Sequence, residues 1–166
     1  HNGIIENYEE IKKQLKLSNK NIDSDTDTEV IAEAFNKFIQ KNDNIIKNII
    51  NISKKIKGTY SFAFLVKENN AIYGTRKGSP LVLGIGDKFN AISSDVLGLP
   101  NNTKEIIFLE ENDIFEISSD NFIIFNSKGK KVTRPSHPYI SKKDFNTKGE
   151  FAHFMQKEIF HQPVSI

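Results

Sequence analysis

Lys57-Gly58-Thr59-Tyr60-Ser61-Phe62-Ala63-Phe64-Leu65-Val66 is where the pattern of this chain turns over. Before Gly58 the apolar residues recur at a spacing near 3.6; after it they alternate at a spacing near 2. Glycine at such a junction ends a helix without steric cost. The aromatic run behind it suits a pleated, half-buried strand. Working toward the N-terminus, a helix is expected over Asp43–Lys57, built on Ile45, Ile46, Ile49, Ile50 and Ile56. Before it, Thr26-Asp27-Thr28-Glu29 has the form of a capping box opening a helix that carries Val30, Ile31, Ala34, Phe35, Phe38 and Ile39 on one side. A first helix is expected from Tyr8 to Leu17, capped by Asn7. Working toward the C-terminus, strands are expected at Tyr60–Val66, Ala71–Thr75, Leu81–Ile85, Phe89–Ser93, Glu105–Leu109, Asp113–Ile117 and Phe122–Phe125. Tight turns such as Asn69-Asn70 and Gly78-Ser79-Pro80 join them, which implies antiparallel pairing. Helices first and strands second indicate an α+β fold. Val132–Gly149 reads as a surface connection, and a last helix is expected from Glu150 to Phe160, ended by Pro163.

Composition narrows the classes. With 166 residues, 37% hydrophobic and 27% charged, the chain is long enough for one domain with a core. The formal net charge is +2, and the lysine pairs are scattered among acids. Only Arg76 and Arg134 represent arginine, so a nucleic-acid surface is not expected. There is no cysteine, hence no disulfide, thiolate metal site or thiol nucleophile within these residues. No apolar run is long enough for a membrane helix and no signal peptide is visible, so the expected location is the cytoplasm.

Two short features can carry chemistry. Asn2-Gly3 offers a side-chain amide N–H and a glycine backbone N–H, the donor pair that stabilises a tetrahedral oxyanion. Standing alone, Asn-Gly is more commonly a simple turn. Asp27, at a helix start, can match the helix dipole or pair with the α-ammonium of an amino acid. Thr26 already offers the cap, which leaves Asp27 partly free for a ligand. The four histidines form no metal pattern: His153 and His161 are not spaced i,i+4, and His1 merely adjoins Asn2-Gly3. Gly84-Ile85-Gly86 lacks the third glycine and the helix of a dinucleotide loop. Ser93-Ser94-Asp95 reads as a short cap.

The ordered series is more specific than its parts. HNGIIENYEEI (1–11), SDTDTEVI (24–31), GTYSFAFL (58–65), GSPLVLGIG (78–86), AISSD (91–95), IIFLEENDI (106–114) and FMQKEIFHQP (154–163) together resemble the glutamine–fructose-6-phosphate aminotransferase family. The resemblance runs almost end to end, and its compact spacing is similar to the bacterial version. It implies an N-terminal-nucleophile (Ntn) hydrolase-like four-layer αββα sandwich, incomplete here at its N-terminal side. Residues 1–149 would be the later part of a glutaminase domain. Residues 150–166 would be a linker helix toward a sugar-isomerase domain.

The resemblance also implies a mechanism. A cysteine at the mature N-terminus attacks the amide of L-glutamine, with its own α-amine as base. A thioester forms, water releases glutamate, and ammonia passes to the second domain, where fructose 6-phosphate becomes glucosamine 6-phosphate. Asn2 and Gly3 then correspond to the oxyanion hole, and Asp27 to the carboxylate that holds the glutamine α-ammonium. No cofactor is implied, and the intact protein would be a homodimer. The start on His1 leads us to expect that the natural N-terminus lies upstream, that these residues alone are inactive, and that the isolated segment is marginally stable. Two other readings are a part of another class II amidotransferase and a non-catalytic glutamine-binding module.

Overall fold

The computed structural model describes residues 1–14, 22–39, 44–67, 69–139 and 148–165. Strand β1 (Asn2–Ile5) leads into helix α1 (Tyr8–Gln14), then α2 (Asp27–Ile39) and α3 (Ile45–Ser53). The strands β2 (Gly58–Leu65), β3 (Ile72–Lys77), β4 (Val82–Ile85), β5 (Asn90–Ser93), β6 (Glu105–Phe108), β7 (Ile114–Ile117), β8 (Phe122–Phe125), β9 (Lys131–Val132) and β10 (Ser136–Pro138) follow, and α4 (Phe154–Ser165) comes last. Two sheets form, one with the order β1-β2-β3-β7-β8-β9 and one with β10-β6-β4-β5. Every pairing is antiparallel.

Side-chain alternation explains the layers. In β2, Tyr60, Phe62 and Phe64 point to the helix side, where Phe35 of α2 stacks on Phe64 at 4.6 Å and meets Phe62 edge-on at 5.3 Å. In β8 the sequence Phe-Ile-Ile-Phe is apolar throughout because both faces are covered. Ile123 and Phe125 face the helices, while Phe122 and Ile124 face the second sheet. Phe115 and Ile117 of β7 join Leu83, Ile107 and Leu109 between the sheets. The outer face of the four-stranded sheet carries a smaller cluster, with Val82 and Ile106 under Leu99. The layers are thus helices, sheet, sheet.

Several expectations change. The opening residues form an edge strand rather than a free turn, because β2 supplies a partner far along the chain. Asn7 does not cap α1 with its side chain. Its Oδ1 accepts from the Lys57 N–H at 2.8 Å and its Nδ2 donates to the Lys55 carbonyl at 2.9 Å, tying α1 to the start of β2. Helix α3 ends at Ser53, and Gly58 instead opens β2 at φ +111°. Residues 132–139 are not plain surface connection: β9 extends the first sheet and β10 crosses to the second. Residues 15–17 of the expected first helix, Asp43 and the stretch 140–147 lie outside the described residues. The last helix starts later than expected, at Phe154, and includes Pro163 in its final turns instead of stopping before it.

The cap of α2 is half as expected. Thr26 Oγ1 accepts from the Glu29 N–H at 3.4 Å. The Glu29 carboxylate, however, reaches past Thr26 to the amides of Asp23 (2.8 Å) and Ser24 (2.7 Å), where a turn presents two unpaired N–H groups. Asp95 behaves as read, its Oδ1 accepting from the Leu97 N–H at 2.7 Å.

Candidate active site

The predicted site residues lie where β1 meets the first turn of α2. Gly3 sits opposite Tyr60 in the sheet with φ +99°. A Cβ at this position would stand 2.1 Å from the Thr59 carbonyl oxygen, so only glycine lets β1 approach β2 with this twist. The Asn2 side chain beside it is exposed and has no hydrogen-bond partner among the described residues. Its amide is therefore open to a ligand.

Asp27 is the first residue of α2, and Thr26 does the capping, so the Asp27 carboxylate is not used up inside its own helix. Its Oδ2 accepts from the Ile5 N–H at 2.9 Å. Its Oδ1 lies 3.7 Å from His1 Nδ1 and 3.5 Å from the Thr28 hydroxyl. The carboxylate is thereby drawn to β1 on both sides of Asn2 and Gly3, through His1 before them and Ile5 after them. It is 22% exposed, enough to meet a small ligand.

In the sequence His1 merely adjoins Asn2-Gly3, and Thr28 is one residue of the cap. The structure brings both in: His1 Nδ1 lies 2.8 Å from Thr28 Oγ1, and the imidazole is only 7% exposed. Adjacency to Asn2-Gly3 was the available signal for His1; Thr28 carried none beyond its place in the cap. Beside this pair a cleft of about 100 Å³ runs between α2 and β2, lined by Ile31, Ala32, Phe35, Phe62 and Phe64. Two residues on from Asp27, the Glu29 carboxyl is held below its ordinary value, first by the Ser24 hydroxyl and then by the amides of Asp23 and Ser24. Among the described residues, no group of three or more His, Asp or Glu gathers to hold a metal ion. None of the helices there is long and apolar enough to cross a membrane.

Comparisons with known proteins give the family of the chain. The family described as "Glutamine amidotransferase domain" matches residues 1–99. The chain belongs to this glutamine amidotransferase family. The likeness to glutamine–fructose-6-phosphate aminotransferases covers the whole segment. It is 39% identical over 171 residues to that of Fusobacterium nucleatum, covering 100% of this chain and 27% of the relative. It is 40% identical over 167 residues to that of Photorhabdus laumondii, again covering 100% and 27%. With the Buchnera aphidicola enzyme the identity is 41% over 168 residues, covering 100% and 28%. The chain thus spans little more than a quarter of the length of these relatives.

Among solved structures, the glutamine phosphoribosylpyrophosphate amidotransferase of B. subtilis, complexed with ADP and GMP, aligns with a TM-score of 0.64 at 19% identity, over 76% of this chain and 28% of that one. That likeness establishes the fold, the α+β Ntn-hydrolase architecture of this amidotransferase family. The two antiparallel sheets and the helix layer on the larger one are this segment's share of it.

Proposed function

We propose that this segment supplies the glutamine site of a glutamine–fructose-6-phosphate aminotransferase. Asp27 binds the α-ammonium of L-glutamine, and the Asn2 amide with the Gly3 N–H receives the oxyanion that develops on the amide carbonyl. Donors aimed at that oxygen stabilise the transition state more than the ground state, which is what accelerates amide cleavage. The observation that carries this reading is the Asp27 carboxylate, spared from capping and bonded instead to β1 at Ile5. The nucleophilic cysteine is not among these residues. It would come from elsewhere in the protein, and these residues alone are expected to be inactive.

On the same reading, released ammonia passes to a sugar-isomerase domain acting on fructose 6-phosphate. Residues 1–149 belong to the glutaminase unit, and 150–166 lead toward that second domain. The protein works as a cytoplasmic homodimer and needs no cofactor. The names of the relatives support the substrate pair.

Glutamate release by the full-length protein tests the assignment. Asn2→Ala is expected to lower kcat about 100- to 1000-fold, the usual loss for one oxyanion donor. Asp27→Ala should act chiefly on the KM for glutamine. A wild-type rate in Asn2→Ala would remove the oxyanion role, and no glutamate from the unaltered protein would remove the whole reading.

A further inference from the structure

We propose that His1 and Thr28 form a clamp that positions the Asp27 carboxylate for its ligand. The inference rests on the reading of Asp27 as the ammonium-binding group and goes beyond it by naming what aims that group.

A carboxylate held by one hydrogen bond still swivels about it. The Ile5 N–H fixes Oδ2 at 2.9 Å and leaves Oδ1 to be placed by something else. Thr28 is the neighbour whose hydroxyl reaches Oδ1, at 3.5 Å. A hydroxyl has one proton, so if Thr28 gives it to Oδ1 it must accept on its other side. His1 Nδ1, 2.8 Å away, is the partner there. For that direction of donation His1 carries a proton on Nδ1, and the chain runs from His1 to Thr28 to Asp27.

The imidazole is well placed to hold this geometry. It is 7% exposed and borders the apolar cleft between α2 and β2. His1 precedes β1 and Thr28 lies in the first turn of α2, so the clamp joins the same two elements as the Ile5–Asp27 bond. Both ties run to the one carboxylate, the Ile5 bond at 2.9 Å and the longer Thr28 contact at 3.5 Å. His1 and Thr28 touch neither the ligand nor the reacting atoms on this account; they are positioning residues.

Glutaminase kinetics of the full-length protein test it. His1→Ala and Thr28→Val are each expected to raise the KM for glutamine about tenfold while kcat stays within about twofold, the pattern of lost uniform binding. His1→Asn, whose amide N–H can stand in for Nδ1–H, and Thr28→Ser should bring KM back to within about threefold. An unchanged KM in both His1→Ala and Thr28→Val would overturn the clamp, as would equal losses in all four variants, which would mark a purely structural staple. Should His1→Ala fail to fold, the Thr28→Val and Thr28→Ser pair decides by itself. Asp27→Ala is run alongside. If it raises KM and the clamp variants do not, the clamp alone fails; if it leaves KM unchanged, the ammonium reading fails with it.

Discussion

Gly3 shows how much one residue can demand of a fold. Its φ of +99° is rarely adopted by residues with a side chain, and its missing Cβ is the space in which the Thr59 carbonyl lies. Gly58, at φ +111°, plays the same part from the opposite strand, where a Cβ would stand 2.2 Å from the Ile4 carbonyl oxygen. Gly3→Ala is therefore expected to destabilise the protein by at least about 2 kcal/mol, from backbone strain with the clash added. Urea denaturation would read this as a lower midpoint; a midpoint equal to wild type would mean that β1 can move away from β2 freely. Glycine and asparagine were visible in the sequence as a possible oxyanion pair. That the pair sits in a strand was not, because Asn-Gly is locally a turn signal and the partner strand lies more than fifty residues away.

Among the elements, α2 carries the candidate carboxylate, and its N-terminus is the part that responds to acid. Glu29 accepts from Ser24 and from the Asp23 and Ser24 amides, so its folded pKa lies below the ordinary 4.5. The sign follows directly. Above the unfolded value the charge is present in both states and the bonds stabilise the folded one in full. As pH falls through the lower folded value, protonation removes that contribution. Glu29→Gln should accordingly flatten the acid side of the stability–pH curve below about pH 4.5, the ordinary carboxyl value. The group is exposed, so salt should shrink the difference. Thermal melts of both proteins from pH 3 to 7 at low and high salt would show it, and parallel curves would rule the cap out as the acid-sensitive part. The helix itself was legible from its apolar spacing and its Thr26 start. The reach of Glu29 to Asp23 and Ser24 was not, since it depends on how the preceding turn presents its amides.

At the scale of the molecule, the two sheets are fastened where the chain crosses between them. Arg134 stands between β9 of the larger sheet and β10 of the smaller. Its Nε and Nη2 donate to the two Asp113 oxygens at 2.9 and 2.7 Å, and its Nη1 lies 3.0 Å from Glu110. Asp113 is fully buried, and its Oδ2 also accepts from the Glu110 N–H. The fork geometry of the guanidinium suits both oxygens at once. Arg134→Ala would leave that carboxylate buried without its cation, at a cost of about 3–5 kcal/mol. Chemical denaturation measures it, and a loss below about 1 kcal/mol, the level of an exposed pair, would place the crossover outside the cooperative core.

The sequence by itself determined the helices, the strands β2 to β8 and their order, the antiparallel pairing, the α+β class and the glutamine amidotransferase family. These follow from short-range information: apolar period, turn residues, caps and ordered motifs. The tertiary structure decided which strands share a sheet, that β1 is an edge strand, that Asn7 serves Lys57 rather than its own helix, and that β10 crosses to the second sheet. It also decided that His1 and Thr28 face Asp27. Each of these is a contact between residues distant in the chain, or a choice among partners that are chemically alike. Their geometry is set only when burial of both sheet faces selects one arrangement of the whole.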